Sequence, residues 1–175
     1  MDLQIINASL EYKGALLELY KIVAKISDGI ILNEDEIDED FVNDFLEKSI
    51  DNGLILVGMI DGKIVGEIHA YTPNIYAFQH ILTDLTIVVS PDNQGQGIGR
   101  KLFESFLNTV ENNFSHIKRI ELYTREYNTK NVKFYESLGF INEGRQKDKI
   151  FIKNATFETP IHMAWFNPGY EFDKS

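Results

Sequence analysis

"SPDNQGQGIGRKL", residues 90–102, places glycines at 95, 97 and 99 and follows them at once with Arg100 and Lys101. Upstream, "HILTDLTIVV" (80–89) reads as an apolar strand stopped by Pro91. Downstream, Ile98, Leu102, Phe103, Phe106, Leu107 and Val110 recur at helical spacing along one face. Backbone N–H groups at such a helix start lack intrahelical acceptors and sit at the positive end of the helix dipole, so they bind phosphate oxygens well. Glycine lets a ligand approach them, and the basic pair adds charge for a further phosphate. Two familiar phosphate loops do not fit. A triphosphate loop, G-x-x-x-x-G-K-[ST], fails because Gly99 is followed by Arg100, Lys101 and Leu102. The dinucleotide pattern G-x-G-x-x-G, counted from Gly95 or Gly97, would need a glycine at Arg100 or Leu102.

Outward from this loop, the chain alternates strand and helix patterns. "LQIINAS" is a short strand, and "EYKGALLELYKIVAKI" a helix with Leu16, Leu19, Tyr20 and Val23 on one face. "NEDEIDEDFVNDFLEKSI" predicts a second helix, its apolar face Ile37, Phe41, Phe45 and Leu46, its acidic leading end opposing the helix dipole. "GLILVGMI" and "KIVGEIHAY" are strands joined by Asp61-Gly62, a hairpin signal. After the glycine loop and its helix come strand "IKRIELYT" and helix "NTKNVKFYESL", which Gly139 can end in a left-handed cap. Strands "FINEGR" and "ETPIHMAWF" follow. Consecutive strands favour antiparallel pairing, and the strand–helix–strand unit over residues 80–124 predicts one parallel crossover.

With 175 residues and 43% hydrophobic content the chain is expected to be one domain, residues 1–175, with a full core. A net charge of −10 argues against nucleic acid and anionic membranes as partners and leaves a cationic partner open. The absence of cysteine removes disulfides, thiolate metal sites and a cysteine nucleophile. The start lacks a signal-peptide pattern and no apolar run approaches the roughly 20 residues of a membrane span, so a cytoplasmic protein is expected. His69, His116 and His162 show no metal-ligand spacing and are expected to be half-buried structural residues; no metal is expected. No G-x-S-x-G elbow supports a serine hydrolase.

Gln94-Gly95-Gln96-Gly97-Ile98-Gly99 resembles the Q/R-x-x-G-x-G/A acetyl-CoA loop of the GCN5-related N-acetyltransferase (GNAT) superfamily. "NTKNVKFYESLGF" is similar to that family's N-x-x-A-x-x-x-Y-x-x-x-G-F segment, with Asn131 where a small residue is usual. The motif similarity is confined to roughly residues 82–140, while the element order follows the family's over nearly the whole chain. The resemblance implies an α/β (α+β) fold: a mixed, mostly antiparallel seven-stranded sheet flanked by about four helices, the GNAT-type acyl-CoA N-acyltransferase fold.

It also implies transfer of an acetyl group from acetyl-CoA, as co-substrate, to a primary amine by direct attack. The backbone of Ile87, Val88 and Val89 would pair with the pantetheine like an added strand. The amides of Gln94, Gly95, Gln96, Gly97, Ile98, Gly99 and Arg100 would hold the pyrophosphate, and Asn128 the pantetheine side, although Asn128 also suits a helix N-cap. Tyr135 occupies the family's position for the acid that protonates the leaving thiolate. Asp84, seven residues before Pro91, stands where many members carry a strand-borne glutamate; it is a candidate base acting through water, or a substrate-orienting carboxylate. His80 is a weaker candidate base, and a backbone N–H near Val88 would meet the oxyanion.

The amine is not legible. The acidic run "NEDEIDED" (33–40) could recognise a polyamine, but a solvated helix start explains it as well and is preferred. Peptide N-termini, lysines, polyamines, aminoglycosides and small amines stay open, as do a homodimer and, in a competing class, a non-catalytic acetyl-CoA-binding sensor or complex subunit of the same fold.

Overall fold

The computed structural model describes residues 2–26, 30–152 and 154–171. The chain runs β1 (Gln4–Asn7), α1 (Lys13–Ala24), α2 (Glu39–Asn52), β2 (Gly53–Ile60), β3 (Lys63–Tyr71), β4 (Ile81–Val89), α3 (Ile98–Asn113) and β5 (Arg119–Arg125). It continues with α4 (Thr129–Ser137), β6 (Ile141–Arg145), β7 (Ile150–Phe151), β8 (Phe157–Glu158) and β9 (Pro160–Phe166). Seven strands form one sheet in the order β1-β2-β3-β4-β5-β9-β6, and β7 and β8 form a separate ribbon. β4 and β5 are parallel; the other neighbours in the sheet are antiparallel. The mixed sheet and the expected element order are both present.

The sheet is covered by helix pairs on its two faces, and each pair follows from its apolar stripe. Leu16, Leu19, Tyr20 and Val23 of α1 and Val42, Phe45 and Leu46 of α2 pack with Ile55, Val57 and Val88 of the sheet. On the other face, Ile98, Leu102, Phe103, Phe106, Leu107 and Val110 of α3 join Leu82, Ile120, Leu122 and Met163, with α4 adding Val132, Phe134 and Tyr135. Full burial of a side chain such as Phe103 or Phe106 stabilises by about 1.5–3 kcal/mol.

Local signals act where expected. Asp61 and Gly62 both have positive φ, 50° and 74°, the requirement of the two-residue type I′ turn that joins β2 to β3. Gly139, at φ 92°, ends α4: its N–H donates to the Glu136 carbonyl and the Phe140 N–H to the Tyr135 carbonyl.

Two expectations are corrected. The acidic stretch does not begin a continuous helix: Glu34–Glu36 is a single 3-10 turn, closed by a reciprocal Asn33–Glu36 capping box. α2 then starts afresh, with the Asp38 side chain accepting from the Phe41 N–H at 2.8 Å. Asn33 and Asp38 each satisfy amides locally, so two short N-termini compete successfully with one long one. Ile37, buried at 2% exposure, lies in the connection rather than in the helix. Likewise "ETPIHMAWF" is not one strand: Phe157–Glu158 pairs with Ile150–Phe151, and β9 begins at Pro160. No helix among the described residues is long and apolar enough to cross a membrane.

Candidate active site

β4 parts from its neighbour part-way along its length. Its parallel pairing with β5 covers only Ile81↔Arg119 and Leu82↔Ile120. On the β3 side the register passes from Tyr71↔Thr83 to His69↔Thr86, so β4 spends Asp84 and Leu85 opposite the single residue Ala70. This is a β-bulge, and Asp84 holds it with φ 53°. Aspartate tolerates that left-handed region better than most side chains, which suits this residue to the site. Beyond the bulge the β5-facing edge of β4 has no strand partner among the described residues, and a cavity of about 410 Å³ opens between the strands.

Asp84, Thr86 and Ile87 line one wall of that cavity, and Thr124 and Arg125 of β5 another. Asn128, Asn131 and Tyr135 of α4 line it too, as do Tyr20 of α1 and Asp44 and Phe45 of α2. The structure therefore brings Asp84 and Tyr135, 51 residues apart in sequence numbering (135 minus 84), to one space. The Asp84 carboxylate accepts from Tyr71 Oη at 2.6 Å and has no cationic partner among the described residues. Asp44, by contrast, is paired with Lys48 at 2.7 Å. Burial first, then the hydrogen bond to Asp84, holds the Tyr71 phenol well above its ordinary range.

Tyr135 is packed by Phe103, Phe134 and Phe140, with ring centroids 5.5–6.0 Å away. Burial pushes its phenol up to about 12, so it stays protonated throughout the neutral range. The capping bonds around Gly139 fix the carbonyl of Tyr135 and, through Phe140, one side of its ring.

Gly95 and Gly97 have φ 75° and 78°, which favours glycine, and a Cβ at either would meet nothing within 4 Å. The loop is thus open as well as glycine-dependent. The Lys101 N–H is the first to reach back into the helix, to the Gly97 carbonyl, leaving the amides of Ile98, Gly99 and Arg100 without intrahelical acceptors. Gln94 is a partial correction: its N–H donates to the Pro91 carbonyl, so the open amides begin after it. The side chains of Gln94 and Gln96 brace the loop, donating to the carbonyls of Val89 and Asp92. Arg100 reaches across to α4, donating to Ser137 Oγ at 2.9 Å. Asn128 caps α4, its Oδ1 accepting from the Asn131 N–H, and lines the cavity at the same time. Val88 is buried against α1 and α2, while Ile87 and Val89 face the α3 side.

Other expectations separate from this cavity. The acidic run does not line it: Glu34 pairs with Lys25 and Glu39 with Lys13. His80 and His116 lie together in a different cleft. His162 lies near Glu121 and Glu143 on the far strands. His116 is exposed rather than half-buried, and sequence reasoning misplaced His69 as well. His69 is 4% exposed rather than half-buried, and it lines the cavity beside Tyr20 and Phe45. Its alternation with Glu67 and Tyr71 along "KIVGEIHAY" was the available signal, since three polar side chains at every second position share one face of a strand. Among the described residues, no cluster of His, Asp or Glu could hold a metal ion.

Residues 17–140 match the model of the acetyltransferase (GNAT) family, and the chain belongs to that family. No curated protein matches it. Among solved structures, a GNAT-family acetyltransferase from Streptococcus pneumoniae is similar at 24% identity and TM-score 0.81, covering 94% of this chain and 99% of that one. The yncA protein of Salmonella typhimurium, solved with its cofactor acetyl-CoA, is 19% identical at TM-score 0.82, covering 100% of this chain and 98% of that one. A GNAT-superfamily phosphinothricin acetyltransferase from Sinorhizobium meliloti, in complex with acetyl-CoA, is 16% identical at TM-score 0.82, covering 100% and 95%. The mixed seven-stranded sheet with its four helices is the fold these proteins share.

Proposed function

We propose that this GNAT-family chain is an N-acetyltransferase that moves the acetyl group of acetyl-CoA to the primary amine of a small molecule or peptide by direct attack. The observation that carries this reading is the shared cavity of Asp84 and Tyr135: a carboxylate without a cationic partner among the described residues, and a protonated phenol.

The chain's own residues suit the co-substrate. The amides of Ile98, Gly99 and Arg100, with the open Gly95–Gly97 turn before them, would hold the pyrophosphate. The unpaired edge of β4 at Ile87–Val89 would take the pantetheine as an added strand, with Asn128 on its other side. When bound, acetyl-CoA supplies an activated carbonyl and a thiolate leaving group.

Asp84 would draw in the substrate's ammonium, because an unpaired carboxylate among aromatic walls is a favourable seat for a cation. Phe41, Phe45 and Tyr71 on those walls suit an apolar body behind the charge. Tyr135 would meet the leaving sulfur. A phenol at about 12 facing a thiolate of pKa about 8.5 makes complete transfer uphill by roughly 5 kcal/mol. Tyr135 therefore donates a hydrogen bond as charge grows on sulfur, and gives up its proton only as the substrate nitrogen returns one to it.

The test is acetyl-CoA-dependent thiol release over polyamines, aminoglycosides, amino acids and short peptides, with the N-acetyl product identified by mass spectrometry. Turnover with one class supports the enzyme and names its acceptor. Silence across the panel, with acetyl-CoA binding confirmed, favours the non-catalytic sensor.

A further inference from the structure

Glu67 is fully buried, at 0% exposure, in the middle of β3. Both its oxygens are engaged: Tyr20 Oη donates to Oε2 at 2.7 Å, and His69 Nδ1 lies 3.0 Å from Oε1. The imidazole is stacked on Phe45, centroids 4.4 Å apart and planes within 6°, so carboxylate and ring together fix its orientation. Isolated burial of a carboxylate costs several kcal/mol, and an apolar strand residue here would fold at lower cost. The cluster needs a reason, and its position supplies one. His69 lines the same cavity as Asp84 and Tyr135. With Nδ1 held by Glu67, the nitrogen left to offer is Nε2, which has no hydrogen-bond partner among the described residues.

We propose that His69, held by Glu67 and Tyr20, is the general base of the acetyl transfer, taking the proton of the acceptor's ammonium on Nε2, while Asp84 seats that ammonium. The proposal rests on the N-acetyltransferase reading above. An ionised Glu67 requires the proton of a neutral imidazole to sit on Nδ1, which makes Nε2 the basic atom, and the same carboxylate stabilises the imidazolium that forms. The proton balance closes. The ammonium's first proton passes to Nε2 and on to solvent; the nitrogen then forms its bond to the carbonyl carbon as the carbon–sulfur bond breaks. Tyr135 protonates the sulfur, and the nitrogen's second proton replaces the one Tyr135 gave.

The groups around the imidazole favour this use. Asp84 of β4 is a carboxylate that eases a positive charge in the cavity, while Asp44 of α2 is already paired with Lys48 at 2.7 Å. Tyr20 and Tyr71 are held protonated and neutral by burial first and by their carboxylate partners second. Tyr123 of β5 and Tyr135 of α4 are the other phenols on the walls. Arg125, the cation on the β5 wall, is paired with Glu158 at 3.3 Å. Asp84 already accepts a hydrogen bond from Tyr71, whereas His69 Nε2 has no hydrogen-bond partner among the described residues.

Two measurements test this. Nitrogen-15 NMR of the wild-type protein should find the neutral His69 ring protonated on Nδ1, with Nε2 bare; a ring protonated on Nε2 overturns the proposal, and needs no acceptor to be known. With the best amine of the panel, His69→Gln should lower kcat/KM by about 100-fold or more and abolish the acidic limb of its pH profile, leaving the KM for acetyl-CoA unchanged. Glu67→Gln should shift that limb and change the tautomer. Retention of both rate and limb in His69→Gln overturns the role of His69 alone. A wild-type protein that binds acetyl-CoA and turns over no amine overturns the parent reading instead, and the tautomer still decides whether the site offers a basic nitrogen.

Discussion

Tyr71 donates its phenolic proton to Asp84 at 2.6 Å, tying β3 to the bulged residue of β4 at the mouth of the strand gap. The bond aims the carboxylate and leaves its charge unpaired by any cation among the described residues. Asp84→Asn should raise the KM for a cationic amine and lower kcat/KM by about 10–100-fold, as expected when a charge-assisted contact of roughly 1.5–3 kcal/mol is lost. Tyr71→Phe keeps the carboxylate and should cost less, about tenfold. Acetyl-CoA affinity, measured by calorimetry, should hold in both.

The Tyr135 hydroxyl makes no hydrogen bond among the described residues, so it can be removed without breaking the fold. Tyr135→Phe should lower kcat by about 10²–10⁴-fold, the usual range for a general acid, with acetyl-CoA binding and melting temperature nearly unchanged. Loss of binding together with activity would make the tyrosine a packing residue instead.

Gly97, at φ 78°, is the residue from which α3 departs. Gly97→Ala has open space for the methyl group and still must hold a left-handed backbone, at a cost of about 1–2 kcal/mol. Acetyl-CoA affinity should fall by tenfold or more, because the loop can relax that strain by turning its amides away. The fall should exceed the effect on melting temperature; calorimetry and thermal unfolding on the same variant compare the two.

The acidic run is expected to matter for stability and not for substrate. Asp38→Ala removes the α2 cap and should destabilise by about 1 kcal/mol in urea unfolding. Glu34→Gln and Glu39→Gln break exposed pairs with Lys25 and Lys13 and should be worth under 1 kcal/mol each. None of the three should change the KM for the amine, since none of these residues lines the cavity.

Alkaline stability carries a signature of the buried phenols. Unfolded tyrosines ionise near pH 10. Burial raises Tyr135 to about 12 and also holds Tyr20 and Tyr71 up, so the folded state keeps protons the unfolded state has released. Their contribution is therefore full below pH 10 and is lost as pH rises from about 10 through the folded values. Two units at Tyr135 amount to roughly 3 kcal/mol. Urea unfolding at pH 9 and 11 should show the fall, and Tyr135→Phe should make it shallower.

The sequence alone determined what depends on near neighbours. The apolar faces of α1 and α3, the Asp61-Gly62 turn, the Gly139 cap and the glycine loop are set by spacings of one to four residues and by backbone conformations that few side chains share. The loop and the "NTKNVKFYESLGF" segment together carried the family, and with it Tyr135 and Asp84. Tertiary structure decided what depends on distant partners. The gap between β4 and β5 exists because β4 spends an extra residue at Asp84, a register event visible only against β3 and β5. The break in the acidic stretch was settled by rival caps, a competition that charge pattern does not display. Glu67 and His69 read locally as alternating strand residues. Only packing α1 onto β3, which brings Tyr20 from 47 residues away, turns them into a buried, oriented pair at the edge of a cavity. Hydrogen bonds of that reach are selected by the folded geometry as a whole, and no local propensity encodes them.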